Sequence, residues 1–234
     1  MVVENKAVLV VDDDEDIREF LADLLATEGY RTEVAESGPA ALEQAAGRKP
    51  DLVLLDIMMP GMDGYEVCER LKANPATRPI PVVMVTVRNE IEAISRSLVL
   101  GATGFIVKPF DSESLLQMVE MVLTRRPFDF YTGMTPAVAN EPVADVLDRH
   151  ERICFLDLLE VGGRTSIMLP AGKTEGNEIL YLWQEPREEG LVETTAAVAI
   201  GSSDEFNTLL NIVAGRPTVK ILSCQVYDRD IPLP

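Results

Sequence analysis

Between residues 7 and 123 short apolar runs alternate with amphipathic stretches, a pattern that few folds accommodate. The runs 7–11, 31–35, 52–55, 81–85 and 104–107 have the length of strands, while 17–27, 39–46, 65–72, 90–100 and 112–123 repeat apolar residues at helical spacing. Turn formers separate them: Gly29, Pro50, the segment "PGMDG" and Gly101. Strands and helices in strict alternation predict repeated βαβ units and a parallel sheet covered by helices. Sheets of this kind place ligands beyond the carboxyl ends of their strands. The residues that end the five runs are therefore the first candidates for chemistry.

Those ends are chemically alike. The stretch "VLVVDDDEDIRE" (8–19) runs from four apolar residues into Asp12, Asp13, Asp14, Glu15 and Asp16. Acids favour a helix N-terminus, which accounts for Asp14, Glu15 and Asp16 and leaves Asp12 and Asp13 at the strand end. The third run ends in Asp56, the fourth in Thr86, and the fifth is followed by Lys108. An Asp after a strand commonly opens a turn and a single Lys usually lies in solvent. Three carboxylates, a hydroxyl and an ammonium converging on one edge call for a further reason. Clustered carboxylates suit a hard divalent cation such as Mg²⁺, and Lys108 with that cation would clamp a phosphoryl group while one carboxylate acts as nucleophile.

Five segments, "VLVVDDDEDIRE", "DLVLLDIMMPGMDG", "VVMVT", "GATGFIVKPF" and the acid pair Asp12–Asp13 within the first, occur in the order and spacing of a known family. Over residues 6–125 the chain resembles the receiver domain of two-component response regulators. The resemblance implies a (βα)₅ doubly wound α/β fold with strand order 2-1-3-4-5. It implies that Asp56 accepts a phosphoryl group from a histidine kinase in a phosphorelay, and that Thr86 and Lys108 bind that group. It assigns Mg²⁺ to Asp13, Asp56 and the backbone carbonyl of Met58, with Asp12 acting mostly through water. Phe105 takes the place of the switch aromatic, the Lys108–Pro109 bond is expected to be cis, and residues 90–125 form the usual signalling face. Met58 and Arg88 sit where the family tunes the lifetime of the acyl phosphate.

From Arg125 onward the texture changes. Prolines 127, 136 and 142 with Gly133 make 127–142 a linker between a receiver over 1–126 and a second domain over 143–234. Strand-like runs at 153–160, 165–169, 179–183, 194–200 and 218–226, with an amphipathic stretch at 204–214, suggest a smaller α+β domain of unrecognised type. Within it, "LPAGKTEG" (169–176) lacks the first glycine of a phosphate-binding loop, which would fall at Ile167, and reads as a turn. "DLLEVGG" (157–163) has the Asp and Gly spacing of a cyclic-dinucleotide motif, with Leu159 where that motif has serine, and reads as an ordinary hairpin. A haloacid-dehalogenase-type phosphatase reading fails because no acidic pair on a strand follows Lys108 and Asp56 would go unused.

Charge narrows the partners. The net charge is −18, and residues 1–126 and 127–234 each carry −9. Neither half has the basic footprint that phosphate backbones require, which disfavours nucleic acid and acidic lipid. Apolar content is 47%, yet no run approaches the roughly 18 residues of a membrane span, and the N-terminus does not read as a signal peptide. Cys68, Cys154 and Cys224 suit neither a disulfide framework nor a metal knuckle, which points to a reducing, cytoplasmic setting. The expected output is a protein-interaction or self-association module, non-enzymatic apart from phosphotransfer at Asp56. The alternatives are a nucleotide-type sensor or a catalytic output under receiver control. Where the family usually has Ala, Gly or Ser after the hydroxyl residue, this chain has Val87. A branched side chain there narrows access to Asp56, so a Val87→Ala variant is expected to undergo phosphotransfer or hydrolysis faster, and equal rates for the two proteins in a time course would remove that role.

Overall fold

A computed structural model of the chain describes residues 5–87, 93, 96–97, 99–124, 138–139, 152–161, 177–186, 191–200 and 219–228. They fall into two compact units, taken in turn.

In the first unit β1 (Ala7–Val11), β2 (Arg31–Ala35), β3 (Leu52–Asp56), β4 (Val82–Thr86) and β5 (Gly104–Val107) alternate with α1 (Glu15–Thr27), α2 (Gly38–Arg48), α3 (Gly64–Ala73) and α4 (Ser112–Thr124). Ala93, Arg96, Ser97 and Val99 are also helical, within the stretch read as helix at 90–100. The strands pair in parallel in the order β2-β1-β3-β4-β5, as expected. β1, β3 and β4 are buried along their whole length, because helices cover both faces of a parallel sheet. Val8, Val10, Leu52, Leu54, Val83, Val85 and Ile106 join Leu21 and Leu25 of α1 and Leu115, Met118, Val119 and Val122 of α4 in one core. The alternate strand residues, among them Leu9, Leu55, Met84 and Phe105, are buried on the other side, and α2 and α3 pack on each other.

Helix starts follow local chemistry. Asp14 caps α1 by accepting from the Ile17 N–H at 3.2 Å, with Glu15 and Asp16 in the first turn. Asp63 caps α3 through the Glu66 N–H at 2.8 Å, and Asp111 accepts from both the backbone N–H and the hydroxyl of Ser114 at 2.7 Å. These last hydrogen bonds outweigh the effect of burial, which acts to raise it, and hold the Asp111 carboxyl below its ordinary value. β2 is the edge strand. Its Val34 carbonyl accepts from Gln44 Nε2 at 2.9 Å, and Glu33 stands 3.5 Å from Arg48.

The second unit is built on antiparallel pairing. β7 (Arg152–Val161) lies between β9 (Leu191–Ile200) and β10 (Val219–Asp228), β9 pairs with β8 (Asn177–Pro186), and β8 pairs with β6 (Val138–Ala139). The segment expected to be linker thus contains a short strand, with Val138 opposite Leu182 and Ala139 opposite Tyr181. Residues 157–161, read as part of a hairpin, lie inside the ten-residue β7. The expected strand at 165–169, the turn at 169–176 and the helix at 204–214 lie outside the described residues, and the described residues from 138 onward are all strand. β7–β10 pairing brings Cys154 and Cys224 together, their Sγ atoms 3.3 Å apart and both buried. Burial pushes the Cys68 thiol in the first unit up to about 11.

One glycine of the first unit is fixed by its surroundings. A Cβ on Gly64 would lie 2.2 Å from the backbone carbonyl oxygen of Asp56 and 2.8 Å from Cα of Ile57. Ala normally improves a helix over Gly by about 1 kcal/mol. Overlap with backbone outweighs that gain, and Gly64→Ala is expected to lower stability by on the order of 3 kcal/mol in urea unfolding.

Candidate functional site

The five acids of residues 12–16 separate by role. Asp12 turns inward and is 2% exposed, Asp13 is exposed, Asp14 caps α1, and Glu15 and Asp16 lie in its first turn. Asp12 Oδ1 accepts from the Asp14 N–H at 3.0 Å, and the Asp12 carbonyl accepts from Arg18 Nη1 at 2.8 Å. At the end of β3, Asp56 is 5% exposed and its Oδ2 accepts from the Met58 N–H at 2.5 Å.

Lys108 joins the two strand ends. Its Nζ donates to Asp12 Oδ2 at 2.6 Å and to Asp56 Oδ1 at 2.8 Å, across 96 and 52 residues of sequence. The Lys108 N–H donates to the Thr86 carbonyl at 2.7 Å, which fixes its backbone beside the end of β4; the Lys108–Pro109 bond is cis, as expected. Thr86 is fully buried at the end of β4 and Phe105 is fully buried in β5. Val87 and the Met58 side chain are exposed, while Arg88 lies outside the described residues. The structure therefore brings Asp12, Asp56, Lys108 and the Met58 backbone into direct contact. Asp13 and Thr86 stand at the neighbouring strand ends.

Burial raises the Asp56 carboxyl above its ordinary value. Lys108 and the Met58 N–H act the other way, and the charge of Asp12 adds to the rise. Burial also acts against the Lys108 ammonium, but hydrogen bonds and charge from Asp12 and Asp56 outweigh it and raise its pKa. The cation stays protonated.

Among the described residues no group of three or more His, Cys, Asp or Glu side chains is gathered to hold a metal ion. The donor set still fits Mg²⁺, which keeps several waters and needs one or two carboxylates. Each oxygen of Asp12 and Asp56 has one protein donor, and a carboxylate offers about four lone-pair sites. Acceptor capacity remains, with Asp13 exposed beside them.

Arg18 and Gly64 were not read from the sequence as site residues. Arg18 lies six residues beyond Asp12 and reaches its backbone carbonyl rather than an acidic side chain, and Gly64 looked like one more turn former in "PGMDG". A glycine directly after a capping Asp was the available signal.

Comparison with known proteins agrees with this geometry. A family model described as the response regulator receiver domain matches residues 8–120. A putative response regulator from Chloroflexus aurantiacus superposes with a TM-score of 0.50 at 34% identity, over 52% of this chain and 100% of that one. Residues 8–120 are a response regulator receiver domain. Among curated proteins, the sensory transduction protein RegX3 of Mycobacterium tuberculosis is 37% identical over 145 residues, 62% of this chain and 62% of that protein. The response regulator PleD of Caulobacter vibrioides is 45% identical over 118 residues, 50% of this chain and 26% of that protein. The chain thus spans less than two thirds of the length of these relatives. No helix among the described residues is long and apolar enough to cross a membrane.

The raised Asp56 carboxyl sets a pH dependence. Above both its unfolded value, near 4, and its higher folded value, the ionised group destabilises the native state. Below about 4 it is protonated in both states and contributes nothing. Asp56→Asn is expected to raise Tm at pH 7 by roughly 2–4 °C, and the difference should close as pH falls toward 4. Thermal unfolding of both proteins across that range is the check.

Proposed function

We propose that this chain is a two-component response regulator in which Asp56 accepts a phosphoryl group from a histidine kinase. The observation that carries the reading is the contact of one buried ammonium, Lys108, with both Asp12 and Asp56 at the carboxyl edge of the sheet. An Asp56 oxygen forms the new O–P bond as the P–N bond of the phosphohistidine breaks and the imidazole leaves, taking up a proton. Lys108 balances the charge that arrives with the phosphoryl oxygens, and Thr86 donates a hydrogen bond to one of them. Asp13, Asp56 and the Met58 carbonyl would hold Mg²⁺, with Asp12 acting through water, and the ion would supply further charge neutralisation. Phe105 acts as the switch aromatic, and residues 90–125 carry the change to the rest of the chain.

The second domain, over 143–234, acts through a protein partner or self-association. The balance of −9 over residues 127–234 supports this reading over contact with nucleic acid, since phosphate contacts supply most of that affinity. One of the similar proteins is named as a transcriptional regulatory protein, the PhoB of Pseudomonas aeruginosa, of which the match covers 52%.

Phosphoramidate, a small P–N phosphodonor, tests the first part. With Mg²⁺, intact mass spectrometry is expected to show the gain of one phosphoryl group that hydroxylamine removes, as it removes acyl phosphates, and no gain in Asp56→Asn. A hydroxylamine-stable group, or one retained in Asp56→Asn, would refute the assignment. Light scattering with beryllofluoride then reports on the output: a mass increase that requires Asp56 means self-association, and an unchanged mass means a monomer that gates a partner.

A further inference from the structure

In the second unit one row of polar side chains crosses three strands. Asp157 of β7 lies opposite Ser223 of β10 on one side and Thr195 of β9 on the other. The Thr195 hydroxyl donates to Asp157 Oδ1 at 2.7 Å and the Ser223 hydroxyl donates to Asp157 Oδ2. A register irregularity between Ile221 and Ser223 lies beside the row. In the next row on the same face, Gln225 lies opposite Phe155, and Phe155 opposite Ala197. Gln225 is 4% exposed, and its Oε1 has no hydrogen-bond partner among the described residues. Ser223 and Thr195 are 6% and 8% exposed, while Asp157 between them keeps partial access to solvent.

Hydrogen-bond capacity is unbalanced here. Each hydroxyl has one hydrogen, and both are directed at Asp157, so Ser223 and Thr195 offer only acceptor lone pairs outward. The carboxylate retains about half of its lone-pair sites, and Gln225 Oε1 adds an unsatisfied acceptor. Among the described residues no cation forms a salt bridge with Asp157, and the nearest on β10, Lys220, lies opposite Leu159 and is exposed. Burial raises the Asp157 carboxyl against the two hydroxyl hydrogen bonds, and the charge of Glu193 adds to the rise. A buried acceptor without a donor is costly, and Gln225 Oε1 is one.

We propose that the Asp157–Thr195–Ser223–Gln225 patch is a binding site for a small cation rich in N–H donors, an alkylguanidinium or alkylammonium. A guanidinium matches a carboxylate with a planar fork of donors, and its remaining N–H groups suit the hydroxyl and amide oxygens. Phosphate-bearing ligands would meet mostly acceptors, with the Gln225 amide N–H groups as the one donor of the patch. The proposal stands apart from the phosphorylation reading and does not depend on it.

Calorimetric titration of the full chain with propylguanidinium chloride tests it, with tetramethylammonium chloride as a cation lacking N–H donors. Saturable binding is expected for the first and none for the second. Asp157→Asn is expected to weaken it by about tenfold or more, the loss of one charge-assisted contact. Gln225→Met, similar in length and without the amide, should weaken binding while raising Tm, since it removes an unsatisfied buried acceptor. If Asp157→Asn does not fold, the Gln225 side-chain amide resonance of the wild type, identified by its absence in Gln225→Met, must shift on titration. No saturable heat, equal heat from tetramethylammonium, or a Gln225→Met protein that binds normally with a lowered Tm would each overturn the proposal.

Discussion

A single ammonium, Lys108 Nζ, within hydrogen-bond distance of Asp12 and Asp56 is the contact on which the site of the first unit is organised. At an effective dielectric near 20, unit charges about 4 Å apart interact by roughly 4 kcal/mol. Two attractions against one repulsion leave the triad favourable by about that amount before desolvation. Desolvation of a buried ion costs several kcal/mol and removes most of the gain. The triad therefore depends on the sheet to assemble it. β1, β3 and β5 supply it, and their register is set by apolar residues such as Val10, Leu54 and Ile106, which bring the three strand ends level.

Much of the first unit was legible because its strands are buried on both faces and so read as unbroken apolar runs. β1 and β5 have the bounds read from the sequence, β3 gains Asp56, and β4 is shifted by one residue to Val82–Thr86. Asp56, Thr86 and Lys108 were visible because each ends or follows such a run. What was not legible is tertiary in origin. Arg18 reaches the Asp12 carbonyl, the Met58 N–H meets Asp56, and Gly64 leaves room for the Asp56 backbone. None of these leaves a periodic mark.

The second unit was harder to read for a different reason. Four runs at 153–160, 179–183, 194–200 and 218–226 each fall in or largely within a ten-residue strand, yet the ends of those strands include Glu185, Pro186, Glu193 and Asp228, which do not signal strand. Val138 and Ala139 were hidden among prolines and became strand through pairing with Leu182 and Tyr181. Cys154 and Cys224, seventy residues apart, meet only because β7 and β10 pair in the observed register. Polar residues such as Asp157 and Thr195 broke the apolar pattern in the middle of strands, and antiparallel pairing gives them one another as partners.

The Gln44 side chain on the Val34 carbonyl has a consequence for the behaviour of many copies at once. An edge strand is a template onto which a neighbouring molecule can add a strand of its own. At β2 one rung of that template already has a donor from the same chain, and Glu33 beside it stands near Arg48 rather than an open apolar surface. A crowded population is thereby steered away from growing sheets through this edge, without any contribution from the Asp12–Asp56–Lys108 chemistry.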